Sequence, residues 1–309
     1  MSLKILIVGA GAVGGYFGAR LVEAGRDVSF LVRPNRAESL KKDGLRILSP
    51  HGDLTVRPRI VLPGEISRSY DLIFLSVKSY ALEAAMTDFT PAMANGSFVL
   101  PVLNGVRHID LLNGRFGEDS VLGGVCYVVT ELDREGRILQ GAKIQDLAYG
   151  ALIPTANEKL GAVDGALRGA GFDARLSEKI QQEMWEKWVQ LASLGAVTCL
   201  LRGNIGDIEA APGGANLSLA ILNECVSILR ACGHSPGEEV VARTRSAMTA
   251  VGSQSTSSMY RDLAKGAKVE VDSILGDLLE RGRAAGVAAP LTEAAFISLR
   301  IYQDRINRG

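Results

Sequence analysis

Lys187 stands in the run Glu183-Met184-Trp185-Glu186-Lys187-Trp188, and no charged residue follows it until Arg202. An ammonium at the edge of such an apolar stretch is partly desolvated, which disfavours its charged form and makes it a better acid near neutral pH. A lysine that only snorkels between tryptophans would look the same in sequence, so both readings stay open on composition alone. The three histidines are less well placed for proton transfer. His51 and His108 lie in loop-like stretches and His234 follows the helix-ending Gly233, so each reads as a surface residue. A proton donor of this kind would serve a carbonyl oxygen that takes up charge as its carbon accepts hydride.

The partner chemistry lies near the N-terminus. Gly9-Ala10-Gly11-Ala12-Val13-Gly14 fits G-x-G-x-x-G, fed by the apolar run Ile5–Val8 and followed by an amphipathic helical pattern. Gly9 permits the tight turn, Gly11 lets a pyrophosphate approach the backbone, and Gly14 lets helix and strand pack closely. Free amides at the helix N-terminus, those of Ala12 and Val13 among them, suit phosphate. The glycines could also serve close packing alone, but the strand before and the helix after favour dinucleotide binding. About 20 residues on, where an acidic side chain would hold a ribose 2′-hydroxyl, the sequence reads Phe30-Leu31-Val32-Arg33-Pro34-Asn35-Arg36. Arg33, with Arg36 behind it, matches a 2′-phosphate in charge and geometry; a solvated surface arginine would read the same, but no Asp or Glu stands at the strand end, so the expected cofactor is NADPH.

The elements that must position these groups follow from periodicity. Strands are expected at Lys4–Val8, Asp27–Val32, Asp71–Val77 and Ser97–Val102, with a helix over Val13–Ala24 ended by Gly25; this is the rhythm of βαβ units. Residues 121–150 read as further β-rich pieces with turns such as Arg134–Gly136, extending to a mixed sheet. From about Ser177 the pattern turns helical, over 178–201, 215–233, 236–263, 268–286 and 290–307. The expected fold is therefore α/β, with a Rossmann-type dinucleotide-binding domain over 1–175 and an all-α substrate domain over 176–309, divided near Gly171–Leu176.

Bulk composition narrows the class. With 47% apolar and 22% charged residues the chain is ordinary for a globular protein, and 34 basic residues balance 34 acidic ones without a dense cationic run. Nucleic acid and anionic membranes are not expected partners. Cys126, Cys199, Cys225 and Cys232 are widely spaced, suggesting neither a zinc site nor a disulfide framework. Residues 5–19 are uncharged but interrupted by glycines, and no signal peptide or membrane span is expected. A cytoplasmic protein and a small-molecule substrate are the expectations, with a homodimer open.

Taken in order along the chain, the motifs resemble those of the ketopantoate reductase (2-dehydropantoate 2-reductase) family. The glycine loop matches. So does Ser76-Val77-Lys78, in which the resemblance implies that Lys78 faces the cofactor. Leu103-Asn104-Gly105 matches an Asn-Gly turn, whose asparagine lies by the nicotinamide ribose and the substrate in that family. Trp185-Glu186-Lys187 matches the position of the catalytic lysine; Ser257-Ser258-Met259 and Asp262 match a serine-methionine motif; Glu270-Val271-Asp272 matches Glu-x-Asp. The resemblance implies that Lys187 protonates the substrate oxygen, Glu270 orients Lys187, and Ser258 and Asn104 position the substrate. Independently, Glu270 and Asp272 precede an apolar helix and should sit in its first turn, where they could equally act only as helix-stabilising carboxylates.

Three positions depart from the family pattern, with Leu191, Gly195 and Ser255 standing where the family has asparagine. Each lost hydrogen bond in a buried site is worth about 1–3 kcal/mol, so the preferred substrate could be less polar than ketopantoate. A non-catalytic dinucleotide-responsive protein and an enzyme running in the oxidative direction are the competing expectations.

Overall fold

The computed structural model describes residues 3–153 and 158–308. The chain divides into two compact units, one ending at Gln181 and lacking only Asn104–Arg107, the other made of Asn104–Arg107 and the chain from Gln182 onwards.

The first unit is built on strands β1 (Lys4–Val8), β2 (Asp27–Leu31), β3 (Leu45–Leu48), β4 (Leu54–Val56), β5 (Arg59–Val61), β6 (Leu72–Leu75), β7 (Phe98–Pro101), β8 (Leu122–Leu132), β9 (Ile138–Ala151) and β10 (Asp173–Leu176). Its helices are α1 (Ala12–Glu23), α2 (Pro34–Asp43), α3 (Leu82–Phe89), α4 (Arg107–Phe116) and α5 (Glu158–Leu167). The first sheet is wholly parallel, in the order β5-β2-β1-β6-β7. β1 is apolar at successive positions because both faces are covered. Ile5 and Ile7 join a core with Phe17, Phe30 and Phe74, while Leu6 and Val8 join another with Ile73, Leu75 and Phe89. Each of these fully buried side chains contributes about 1.5–3 kcal/mol. Since β2 lies on one side of β1 and β6 on the other, the ends of β1 and β6 form a topological switch point, where α/β sheets hold ligands.

The β-rich pieces expected after residue 121 do not extend this sheet. They form a second, mixed sheet in the order β10-β9-β3-β4, with β8 paired antiparallel to β9. The two strands β3 and β4 escape a periodicity search because they are short and only partly buried.

The second unit is helical: α6 (Ile180–Leu201), α7 (Ile205–Ala210), α8 (Gly214–Ala231), α9 (Glu238–Met248), α10 (Ser258–Ala264), α11 (Asp277–Ala284) and α12 (Pro290–Arg308). The single helix expected over 236–263 is two, α9 and α10. Gly252, at φ +64°, breaks the chain, and the Ser257 hydroxyl caps α10 by accepting from the Tyr260 N–H at 2.9 Å. The approach to α11 is a π-helical turn over Asp272–Gly276, a distortion that recurs at functional sites. His108 corrects another expectation: it sits in α4, not a loop, and is 3% exposed. His234 is half-buried and its ring stacks on Trp185 at 3.9 Å, whereas His51 is exposed as expected.

Candidate active site

In the first unit the glycine loop sits at the switch point. Gly9 has φ +97° and donates its N–H to the Leu31 carbonyl at 3.2 Å, fixing the loop to the end of β2. Ser76, just past β6, latches it from the other side. Its hydroxyl lies 3.1 Å from the Val8 carbonyl and 3.0 Å from the Gly9 carbonyl. The approach is so close that a Cβ on Gly14 would fall 1.9 Å from the Ser76 Oγ and 2.2 Å from the Gly9 oxygen. Gly11 is the opposite case, because a Cβ there would meet nothing within 4 Å. Packing therefore explains Gly14 but not Gly11, and a cradle that a methyl would enter is what a pyrophosphate needs. No side chain caps α1 and no acid occupies its first turn, so the leading amides, including those of Ala12 and Val13, are suited to an anion. These residues fit the phosphates of a dinucleotide.

Arg33 is exposed at the end of β2, as the residue before Pro34 at the start of α2. Lys78 is half-buried two residues beyond Ser76, at the end of the strand next to β1, and its carbonyl accepts from the Ala81 N–H at 2.8 Å. The role of Ser76 as a latch was missed from sequence, because nothing in Ser76-Val77-Lys78 shows that a hydroxyl faces the loop.

The remaining candidates belong to the second unit. Lys187 is 8% exposed and Glu270 6% exposed, a lysine and a glutamate both withdrawn from water. Their segments adjoin, since the indole Nε1 of fully buried Trp188 donates to the Ile274 carbonyl at 3.0 Å, and the Ile274 N–H donates in turn to the Glu270 carbonyl at 3.1 Å. Asn104-Gly105 packs on the same place. Gly105 has φ +78°, and a Cβ on it would lie 2.6 Å from the Ser273 carbonyl oxygen and 3.8 Å from the Trp188 Nε1. The backbone segments that carry Asn104, Lys187 and Glu270 thus adjoin, through one indole and one glycine.

Lys187, Leu191, Gly195 and Thr198 recur at helical spacing on one stripe of α6. Thr198 bonds the Ser257 hydroxyl at 2.9 Å, which places Ser258 at the first turn of α10 against the far end of that stripe. Ser258 itself is half-buried. Gly195 is filled from outside: a Cβ there would sit 2.8 Å from the Met259 Cε. Ser255 does not join the group; it is exposed on the loop before α10, with its carbonyl accepting from the Ile205 N–H. Glu186 is occupied elsewhere, accepting from Gln182 at 3.0 Å and from the Gly237 N–H at 2.9 Å at the start of α9.

Comparison with known proteins now decides the family. The profile described as ketopantoate reductase PanE/ApbA matches residues 5–153, and the one described as its C terminal matches residues 179–303. An oxidoreductase of Bacillus subtilis, YkpB, named as uncharacterized, is 33% identical over 97% of this chain and 99% of its own. This chain belongs to the ketopantoate reductase family. A 2-dehydropantoate 2-reductase of Halobacterium salinarum is 27% identical, over 97% of this chain and 99% of its own. The solved ternary structure of a D-mandelate dehydrogenase with NADH and anilino(oxo)acetate superposes with a TM-score of 0.89 over 99% of this chain and 100% of that one. At 23% identity that likeness speaks to fold. As a member of the family, the chain is an oxidoreductase with a parallel-sheet N-terminal region and a helical C-terminal one. In this ketopantoate reductase relative the stripe just beyond Lys187 is apolar at Leu191 and Gly195, with Leu191 in one expected asparagine position and the Met259 methyl group standing in for the other.

No described helix is long and apolar enough to cross a membrane, and among the described residues no cluster of His, Cys, Asp or Glu is arranged to hold a metal ion.

Proposed function

We propose that the protein is an NADPH-dependent reductase of a 2-oxo acid, either 2-dehydropantoate or a less polar relative, with Lys187 as the general acid. The observation that carries this reading is the joint burial of Lys187 and Glu270 on segments tied together by Trp188, with Gly105 of the Asn104-Gly105 turn packed against Ser273 and the Trp188 indole. A lone buried ammonium is costly, and Glu270 on the adjoining segment would offset that cost and aim the lysine. Gly9, Gly11, Gly14 and the amides of Ala12 and Val13 would hold the dinucleotide's pyrophosphate, Arg33 its 2′-phosphate, and Lys78 and Asn104 its nicotinamide end. When bound, the dinucleotide supplies the hydride for the carbonyl carbon. Lys187 then delivers a proton from Nζ to the carbonyl oxygen, worth about a hundred- to ten-thousandfold in rate. Ser258 and Asn104 hold the substrate's polar groups by hydrogen bonds.

The apolar stripe bears on the substrate. Leu191 and the Met259 methyl offer no hydrogen bond where two asparagines are expected, removing about 1–3 kcal/mol of discrimination each in favour of a hydroxylated side chain. The test is NADPH oxidation with a panel containing 2-dehydropantoate, branched aliphatic 2-oxo acids and a phenyl-substituted one. At least one acid should be turned over, the less polar ones as well as or better than 2-dehydropantoate. Tight NADPH binding with no oxidation across the panel would overturn the assignment and favour a non-catalytic dinucleotide-binding protein.

A further inference from the structure

Arg36, in the first turn of α2, does not lie on the open surface with Arg33. Its Nε donates to the Ala10 carbonyl at 3.1 Å and its Nη1 to the Gly136 carbonyl at 3.2 Å, so one guanidinium joins the glycine loop to the turn between β8 and β9. The seat is close-fitting, since a Cβ on Gly136 would lie 2.8 Å from that Nη1. Both acceptors are neutral. The third nitrogen, Nη2, is buried with no hydrogen-bond partner among the described residues, and burial holds the group's pKa below the usual arginine value. A half-buried cation with no carboxylate beside it among the described residues is an expensive arrangement for folding alone. An anion arriving at the glycine loop would offset that cost.

We propose that Arg36 is a fixed positive charge for a phosphate of the bound dinucleotide, held against Ala10 so that it is in place before the ligand arrives. The proposal rests on the dinucleotide reading above. Two phosphates carry this chemistry, the pyrophosphate common to NADH and NADPH and the 2′-phosphate of NADPH alone. Unlike Arg33, Arg36 is clamped by backbone carbonyls, so little side-chain freedom remains to be lost when the phosphate binds.

The experiment is titration of wild type, Arg36→Gln and Arg36→Lys with NADPH and with NADH, read by calorimetry, alongside ligand-free thermal melts. Arg36→Gln should lose about tenfold or more in affinity, the worth of one nearby positive charge to a phosphate in a partly desolvated site. Loss for both dinucleotides assigns the pyrophosphate, and loss for NADPH alone assigns the 2′-phosphate. Arg36→Lys keeps the charge without the two-pronged clamp and should stay within about threefold of wild type. Unchanged affinities in a folded Arg36→Gln overturn the proposal, and so does Arg36→Lys falling as far as Gln, since that leaves only a strut between two carbonyls. If Arg36→Gln does not fold, Arg36→Lys decides on the same threefold and tenfold limits. Wild type that binds neither dinucleotide sinks the underlying reading instead, a separate and recognisable result.

Discussion

Replacing Gly11 and Gly14 one at a time by alanine separates the two reasons a glycine can stand in this loop. At Gly11 the added Cβ meets nothing within 4 Å, and φ −79°, ψ −163° is comfortable for alanine. The gain from a stiffer unfolded chain, about 0.4–1 kcal/mol, is offset by alanine's poorer helix capping at a similar magnitude. The ligand-free protein should therefore melt within about 2 °C of wild type. At Gly14 the Cβ would fall 1.9 Å from the Ser76 Oγ and 2.2 Å from the Gly9 carbonyl oxygen. The hydroxyl can rotate only by leaving its bonds to Val8 and Gly9, and the carbonyl moves only with the backbone. Overpacking at about 1–3 kcal/mol plus about 1 kcal/mol for the displaced hydroxyl gives about 2–4 kcal/mol. At about 2–4 °C per kcal/mol, the melting temperature should drop by roughly 5–15 °C. NADPH titration should give the reverse order of insight: Gly11→Ala, though stably folded, should lose tenfold or more in affinity because its methyl occupies the phosphate's approach, an overpacking of about 1–3 kcal/mol. A Gly11→Ala protein that binds NADPH like wild type would refute the cradle.

Further outcomes follow from other sites. Arg33→Asp should weaken NADPH binding by about ten- to a hundredfold and barely alter NADH binding; equal changes in titrations with the two would remove Arg33 from the 2′-phosphate. Gly195→Asn combined with Met259→Ala should move kcat/KM toward the more polar 2-oxo acids, because it empties the place of the Met259 methyl and supplies an amide; an unaltered preference ratio means the 195 end of the stripe does not meet substrate. Burial, and then the nearby Arg281 charge, holds the His234 pKa below its ordinary 6.5. Its folded value being the lower one, the stability it gives is present above about 6.5 and is lost as pH falls through the folded value. Thermal melts from about pH 7.5 down to about pH 5 should decline less steeply in His234→Phe, which keeps the stack on Trp185, than in wild type; parallel curves would deny His234 that part.

Strands β1, β2, β6 and β7 of the first sheet, and with them its glycine loop, were legible in the sequence because those strands are buried on both faces and read as near-continuous apolar runs, whereas the three-residue edge strand β5, none of it fully buried, was not. The hairpin β8–β9 announced itself through its turn at Arg134–Gly136. Strands β3 and β4 did not, being three or four residues long with half their side chains partly exposed. The division of α9 from α10 was hidden because the polar run Gly252–Ser258 also tolerates helical spacing, and only the Ser257 cap and Gly252's left-handed backbone end the ambiguity. His108 was misplaced because the Asn104-Gly105 turn suggested a longer loop than the one that forms before α4. In the candidate site, residue types were visible but occupancy was not: that Met259 fills the place beside Gly195, or that Arg36 turns inward to Ala10, depends on side chains distant in sequence.

The proton-donor assignment is tested most directly by comparing wild type with Lys187→Ala on whichever 2-oxo acid supports turnover, measuring kcat under saturating NADPH and the NADPH dissociation constant in parallel. A fall in kcat of about a hundred- to ten-thousandfold with the dissociation constant unchanged is the predicted result. Undiminished turnover in that variant would contradict it.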